Sequence, residues 1–273
     1  MYKLNYSVLM SVYFKEKPEY LEKSIDSMLS QTYLTNDFVI IKDGNLTKEL
    51  EKILLKYQEN YSFIHIYGYE KNKGLGYALN YGLEKCKNNL VARMDSDDIS
   101  LPSRCEEQIK IFLNNPNIDI VGTSIYEFST DENKIDSIKY MPTIESEIKK
   151  YSRRRNPFNH PTVMYKKEII KELGGYPLGI RGEDFALFSK LIFKGKKGIN
   201  IKEPLLKYRS NKDMYKRRSS SMDAKAVINV IKNNYKLGYI SFLDLLIVFI
   251  LQLLGLIIPK KLGYIIYKKL FRN

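Results

Sequence analysis

Three aspartates fall within four residues at Asp95-Ser96-Asp97-Asp98. Carboxylates this close repel and raise one another's pKa unless a cation lies among them. A divalent ion removes that penalty, and Mg2+ is commonly held by one or two carboxylates plus substrate phosphates. The competing reading is a solvated acidic turn or a helix start charged to suit its dipole. Asp98, ahead of Ile99-Ser100-Leu101-Pro102, suits the second. Asn72-Lys73-Gly74-Leu75-Gly76 is a glycine-bearing turn of the kind that lets backbone N–H groups approach phosphate. Asp43-Gly44 is a common turn pair, and its carboxylate can accept an N–H from a uracil ring. Glu183-Asp184 follows Gly182 at an expected helix start, where an acidic pair either complements the dipole or supplies a general base. His160, in Asn159-His160-Pro161-Thr162, is placed to contact an acceptor, a diphosphate or a metal, whereas His65 lies mid-strand and reads as packing. Arg153-Arg154-Arg155 reads equally as an anion site and as a solvated loop.

The elements that must carry these residues follow from alternating periodicity. Tyr6 to Tyr13 is a short apolar run, and Leu21, Ile25, Met28 and Leu29 follow at helical spacing. Phe38 to Ile41, Phe63 to Tyr67 and Leu90 to Met94 read as three more strands. Leu46 to Tyr57 and Leu75 to Cys86 read as the helices between them. This alternation predicts parallel βαβ units, in which ligands bind beyond the carboxyl ends of the strands. The strand ends at Ser11-Val12-Tyr13, Asp43-Gly44 and Asp95 to Asp98 should therefore open onto one crevice. Further on, the pattern predicts a helix from Pro102 to about Asn114, then Ile118 to Gly122 and one or two short strands through Tyr140. It predicts a loop over Arg153 to His160 and a helix over Glu183 to Lys194.

Segment 6–98 resembles family 2 of the glycosyltransferases, which have the GT-A fold. The resemblance is carried by Ser7-Val8-Leu9-Met10-Ser11-Val12-Tyr13, Ser27-Met28-Leu29-Ser30-Gln31-Thr32-Tyr33 and Val39-Ile40-Ile41-Lys42-Asp43-Gly44. It continues through Asn72-Lys73-Gly74-Leu75, Ala78-Leu79-Asn80 and Ala92-Arg93-Met94-Asp95-Ser96-Asp97-Asp98. It covers about residues 5–205 and is nearest to the bacterial capsule and exopolysaccharide branch. It implies a Rossmann-like, mostly parallel sheet flanked by helices. It also implies that Ser11, Val12, Tyr13 and Asp43 hold the uridine of a UDP-sugar, with Asn72, Lys73 and Gly74 near the phosphates. Asp95 and Ser96 would lie near the ribose, and Asp97, with Asp95, would ligate Mg2+ or Mn2+. Many relatives carry Ala-Arg-Asn where this chain reads Ala78-Leu79-Asn80, so that arginine's nucleotide contact would pass to Lys73 or Arg93. Glu183-Asp184 matches the family's acidic pair, which makes Asp184 the base of an inverting transfer and Glu183 its orienter or an acceptor contact.

Composition bounds the rest. Of 273 residues, 44% are hydrophobic and 28% charged, as in a folded protein. Cys86 and Cys105 are too few for a disulfide framework and lack zinc-site spacing, and Cys86 reads as a small core residue. Met1 to Met10 lacks the features of a signal peptide, which predicts catalysis in the cytoplasm. The net charge of +14 is unevenly placed. Residues 1–150 hold 19 Lys/Arg against 23 Asp/Glu (net −4), and residues 151–273 hold 26 against 8 (net +18). The second half is thus suited to a negative surface.

Leu245 to Ile258 is 14 residues without a formal charge, followed by Lys260-Lys261. A spanning helix needs roughly 20 apolar residues, so this segment suits an in-plane or shallowly inserted helix. Tyr264, Tyr267, Lys268, Lys269, Phe271 and Arg272 continue the aromatic-plus-basic pattern of anionic lipid interfaces. A nucleic-acid groove built on Tyr215, Lys216, Arg217 and Arg218 would leave the apolar tail unexplained, and no nucleic-acid module is recognisable. A nucleotidyltransferase would need a glycine- and lysine-rich phosphate loop after the first strand, where this chain reads Ser11-Val12-Tyr13-Phe14-Lys15-Glu16. A degenerate, non-catalytic scaffold is disfavoured by the presence of Asp43, Asp97 and Asp184 together. The expectation is a GT-A domain over 1–206 and a basic, helical, membrane-associating extension over 207–273. It would act at the cytoplasmic face of the cell membrane on a lipid-linked or oligosaccharide acceptor.

Overall fold

A computed structural model describes residues 4–210 and 221–257. The first part is the predicted alternation: β1 (Tyr6–Val12), α1 (Pro18–Leu29), β2 (Asp37–Asp43), α2 (Lys48–Asn60), β3 (Ile64–Tyr69), α3 (Leu75–Lys85) and β4 (Leu90–Asp95). Local chemistry fixes the helix starts. Pro18 opens α1, where a missing N–H costs nothing, and the Thr47 hydroxyl accepts from the Leu50 N–H at the start of α2. β1 pairs in parallel with β2 on one side and β4 on the other, and β3 adds to β2. In that register Ser11 lies opposite both Ile41 and Asp95, which brings the three chemically loaded strand ends to one edge.

The second part is less regular. It comprises β5 (Ile99–Ser100), α4 (Arg104–Asn114), β6 (Ile120–Phe128), β7 (Ser137–Lys139), α5 (Glu145–Ser152) and a 3-10 turn over His160–Thr162. β8 (Met164–Lys166), α6 (Lys167–Glu172), α7 (Glu183–Phe193), β9 (Gly198–Arg209), α8 (Ser221–Lys236) and α9 (Phe242–Ile257) complete it. The nine strands form one sheet in the order β3-β2-β1-β4-β8-β6-β9-β5, with β7 beside β6. Past β4 the pairing becomes mixed: β8 is antiparallel to β4 and β6, β5 is antiparallel to β9, and β9 is parallel to β6. These pairs join segments far apart in sequence, with helices between them, so tertiary packing and not connection length sets their direction. Because β5 follows the Asp95–Asp98 turn, Asp98 leads into a strand, not a helix start. The strand β9 also runs on past residue 206, through Arg209.

Apolar side chains line both faces of the sheet. One cluster joins Val8, Met10 and Val12 to α1, α2 and α4, and the other joins Leu9, Val39 and Ile41 to α3 and α7. Full burial of each such side chain is worth about 1.5–3 kcal/mol. The second cluster continues into Val230, Ile231, Tyr239, Ile240 and Val248, so α8 and the start of α9 pack on α7. Cys86 caps α3 within that cluster as a free thiol, pushed up to about 12 by burial. His65 is the second residue of β3 and is half-buried; its Nε2 lies 2.9 Å from Lys87 Nζ, which makes it a polar surface residue and not a packing one. Among the described residues no helix is long and apolar enough to cross a membrane. Tyr215 to Arg218, Ile258 and the run from Tyr264 to Arg272 lie outside the described residues.

Candidate active site

At the end of β4, Asp95, Asp97 and Asp98 each offer an oxygen within 4.8 Å of the others. Their turn is held from three sides. The Ser24 hydroxyl donates to the Asp95 carbonyl at 2.6 Å from α1, and Arg93 makes an ion pair with the Asp95 carboxylate. From β9, the Arg209 N–H donates to Asp98 Oδ1 at 2.8 Å and the Arg209 Nε–H donates to the Asp97 carbonyl at 2.9 Å. Asp98 is fully buried, and its Oδ2 has no hydrogen-bond partner among the described residues. Burial, then Asp95 and Glu16, push Asp97 up to about 7, and burial, then Asp97 and Asp95, raise Asp98 well above the usual carboxylate range. A cluster this short of countercharge, with an orphaned buried carboxylate oxygen, fits a hard divalent cation that prefers oxygen ligands.

The first three strands build the adjoining wall. Ser11 and Tyr13 are half-buried at the end of β1, but the Val12 side chain is fully buried in the core, so only its backbone is available to a ligand. Asp43 is engaged more fully than its sequence context suggests. Its Oδ1 accepts from the Tyr69 hydroxyl at 2.9 Å and the Lys73 N–H at 2.8 Å. Its Oδ2 accepts from Asn72 Nδ2 at 2.9 Å and the Gly74 N–H at 3.1 Å. A carboxylate has about four acceptor positions, so Asp43 is used in shaping the Asn72–Gly74 turn, leaving no free position for a base N–H. Gly44 has φ +88 and a Cβ there would meet the Asn72 nitrogen at 2.6 Å, which is why the turn pair ends in glycine. Lys73 Nζ lies 4.3 Å from the centroid of Tyr77, at the rim.

The opposite wall is the start of α7. A Cβ added to Gly76, in the first turn of α3, would sit 3.7 Å from Glu183 Cγ, so the phosphate-type turn and the acidic pair face one crevice. Burial, then Asp184, push Glu183 up to about 7. Asn156 Nδ2 donates to Asp184 Oδ2 at 2.7 Å, and His160 Nδ1 lies 4.0 Å from the same oxygen. His160 is buried and its Nε2 shares a hydrogen bond of 3.1 Å with the Tyr176 hydroxyl. Burial and the Arg93 charge hold His160 well below the usual imidazole range, so it stands neutral between Tyr176 and Asp184. Asn80 explains how Tyr176 is placed: its Nδ2 donates to the Tyr176 carbonyl and its Oδ1 accepts the Tyr176 N–H, both at 2.8 Å. Arg93 is buried, paired with Asp95, and its Nε and Nη1 are unpartnered among the described residues. Of Arg153, Arg154 and Arg155, Arg154 turns to α9 and pairs with Asp244 at 2.6 Å.

Three residues of this arrangement escaped the sequence reading. Glu16 accepts from the Ser96 hydroxyl and stands as a fourth carboxylate beside Asp95 and Asp97. Arg209 has its guanidinium centre 3.8 Å from the Tyr20 ring centroid and 4.6 Å from that of Phe128. Asn156 had one signal, its place in a loop rich in Arg, Asn and Pro; for Glu16 and Arg209, nothing in local spacing points across the fold.

The family model for glycosyl transferase family 2 matches residues 7–174. The chain is 36% identical over 268 residues to the UDP-Gal:alpha-D-GlcNAc-diphosphoundecaprenol beta-1,3-galactosyltransferase of Escherichia coli, covering 98% of this chain and 97% of that protein. It is 33% identical over 264 residues to the amylovoran biosynthesis glycosyltransferase AmsE of Erwinia amylovora, covering 97% and 98%. Among solved structures, the mannosyltransferase PcManGT of Pyrobaculum calidifontis, in complex with GDP-Man and Mn2+, superposes with a TM-score of 0.66 at 15% identity. That match covers 86% of this chain and 65% of the other, and it identifies the GT-A fold.

Proposed function

The chain belongs to glycosyl transferase family 2 and is a glycosyltransferase, and from that premise we propose that it transfers a hexose from a UDP-sugar to a lipid-diphosphate-linked glycan, with inversion, in bacterial surface polysaccharide synthesis. One observation carries the reading: Glu183 lies against Gly76 beside the turn that Asp43 holds, and the charge of Asp95 in the aspartate cluster acts on it. The relatives named for a UDP-Gal:GlcNAc-diphosphoundecaprenol transfer and for amylovoran synthesis match over nearly the whole chain, which supports the donor and acceptor classes.

Asp95 and Asp97 would hold Mg2+ or Mn2+, with Asp98 behind them on the Arg209 N–H. When bound, the ion supplies charge stabilisation to the departing diphosphate. Ser11, Tyr13 and the backbone of Val12 would line the uridine, and Asp43 would act through the shape it gives to Asn72, Lys73 and Gly74. Asp184, held by Asn156, would take the acceptor hydroxyl's proton as that oxygen bonds the anomeric carbon. The carbon–oxygen bond to the diphosphate breaks in the same displacement, and its electron pair leaves on UDP. Glu183 would orient the acceptor. The exposed apolar helix α9 and the basic second half favour work at the cytoplasmic face of an anionic membrane, as a peripheral or monotopic protein.

The test is a UDP-release screen across UDP-sugars, with Mn2+ or Mg2+ and a polyprenyl-diphosphate-linked sugar as acceptor. A single preferred UDP-sugar and a product of inverted anomeric configuration are expected. A retained configuration, or turnover unaffected by chelator, overturns the corresponding part.

A further inference from the structure

The exposed helix and the acceptor base are joined by a short series of side-chain contacts. Asp244, buried in the first turn of α9, accepts from Arg154 Nε at 2.6 Å. The hydroxyls of Ser152 and Tyr239 hydrogen-bond to each other, so residues 152 and 154 are both fastened to the α8–α9 unit. Two residues on, Asn156 donates to Asp184. The same unit also touches the base helix directly: Asn234 Nδ2 donates to the Ser189 hydroxyl at 3.1 Å, and Val230 Cγ2 would lie 3.8 Å from a Cβ at Gly182.

Beyond Val248, α9 leaves the body of the protein. From Phe249 to Ile257 every apolar side chain is between 39 and 77% exposed. A helix apolar on all its free faces needs a nonaqueous neighbour. Charge chooses that neighbour. Lys225, Lys232 and Lys236 are exposed on α8, Lys260 and Lys261 follow α9 in sequence, and residues 151–273 carry +18. A second copy would oppose like charge to like charge, whereas an anionic bilayer attracts each nearby Lys or Arg by about 1 kcal/mol.

We infer that α9 docks in an anionic lipid surface and that Arg154 is a positioning residue, fixing the height of Asp184 above that surface so that a lipid-borne acceptor reaches the base. This rests on the lipid-linked acceptor proposed above. The loop at 152–156 then does two jobs: one set of side chains grips the lipid-docked unit and the next orients the carboxylate.

The experiment uses the full chain and three variants. Truncation at α9 is unsuitable, because Asp244 and Val248 are buried in the body. Phe249→Glu together with Leu253→Glu should abolish sedimentation with phosphatidylglycerol vesicles that bind the wild type, and phosphatidylcholine vesicles should bind neither. Arg154→Met should bind phosphatidylglycerol vesicles normally. It should lose roughly tenfold in transfer to a long-chain polyprenyl-diphosphate acceptor in those vesicles, as misplacement of a reacting group does. Its donor hydrolysis and its transfer to a water-soluble short-chain diphosphate acceptor should stay within about twofold of the wild type. Arg154→Lys should recover most of the loss. Equal losses on both acceptors would make Arg154 a diphosphate contact and overturn the inference, as would no loss on either. A wild type that ignores both vesicles but dimerises in light scattering overturns the lipid assignment. Failure of the underlying reading looks different: the wild type then transfers nothing to any lipid-linked acceptor, whatever its vesicle binding.

Discussion

The side-chain amide of Asn156 donates to Asp184 Oδ2 at 2.7 Å, and among the described residues no donor meets Oδ1. One oxygen of the carboxylate is therefore anchored by a group that cannot itself take a proton, and the other is available to an incoming hydroxyl. Asp184→Asn should lower kcat by about a thousandfold, within the range of a lost general base, with UDP binding unchanged. Asn156→Ala should lower kcat by about tenfold without moving the donor KM. Calorimetric UDP titrations beside initial rates separate the two, and a loss of UDP binding in Asp184→Asn would assign that residue to the fold instead.

Asp97→Ala removes a carboxylate proposed to ligate the cation. Metal-dependent UDP binding should disappear and transfer should fall to background. Mn2+ binding followed by electron paramagnetic resonance, with and without UDP, gives a readout independent of turnover. Unchanged Mn2+ binding would sink the ligand assignment.

The pH dependence follows from carboxyls raised by burial, Asp97 and Glu183 among them. Asp97 and Glu183 each titrate at about 7 in the folded protein, above their ordinary values, because burial disfavours their charged forms. Between the unfolded and folded values the native state binds more protons than the unfolded one, so stability must fall as pH rises through that window. In chelator, the melting temperature should decline from pH 5 to pH 8. Mn2+ plus UDP should flatten the decline, and apparent Mn2+ affinity should rise with pH through about 7. A melting temperature that climbs over this range without metal contradicts the account.

Asp43→Ala strips acceptors from four donors at once, two of them backbone N–H groups of the Asn72–Gly74 turn. Charge-assisted hydrogen bonds make this cost about 3 kcal/mol of stability, read by urea denaturation. Donor KM should rise while kcat at saturating donor changes little. A collapse of kcat with stability intact would place Asp43 in the chemistry.

The local signals in the chain were sufficient for the first half of the fold. Strand runs at Tyr6, Phe38, Phe63 and Leu90, with helices between them, determine β1 to β4, since parallel pairing follows from period and crossover length. They also determine that the Ser11, Asp43 and Asp95 strand ends open on one edge. Beyond β4, β6 and β7 fall in the strand region predicted through Tyr140, whereas β5 and β8, of two and three residues, are too brief to declare themselves by period, and β9 escaped with them. What each site residue does was decided only in three dimensions. Asp98 meets the Arg209 N–H across 111 positions, and the register of β9 with β6 and β5 sets that meeting. Asp43 looked like a free carboxylate because its four donors arrive from β3 and a turn some thirty residues on. Glu16 joins the cluster through Ser96, 80 residues away. Sequence determines which groups exist and which strand ends carry them; tertiary packing decides their partners, because hydrogen-bond capacity and desolvation depend on neighbours that no local spacing encodes.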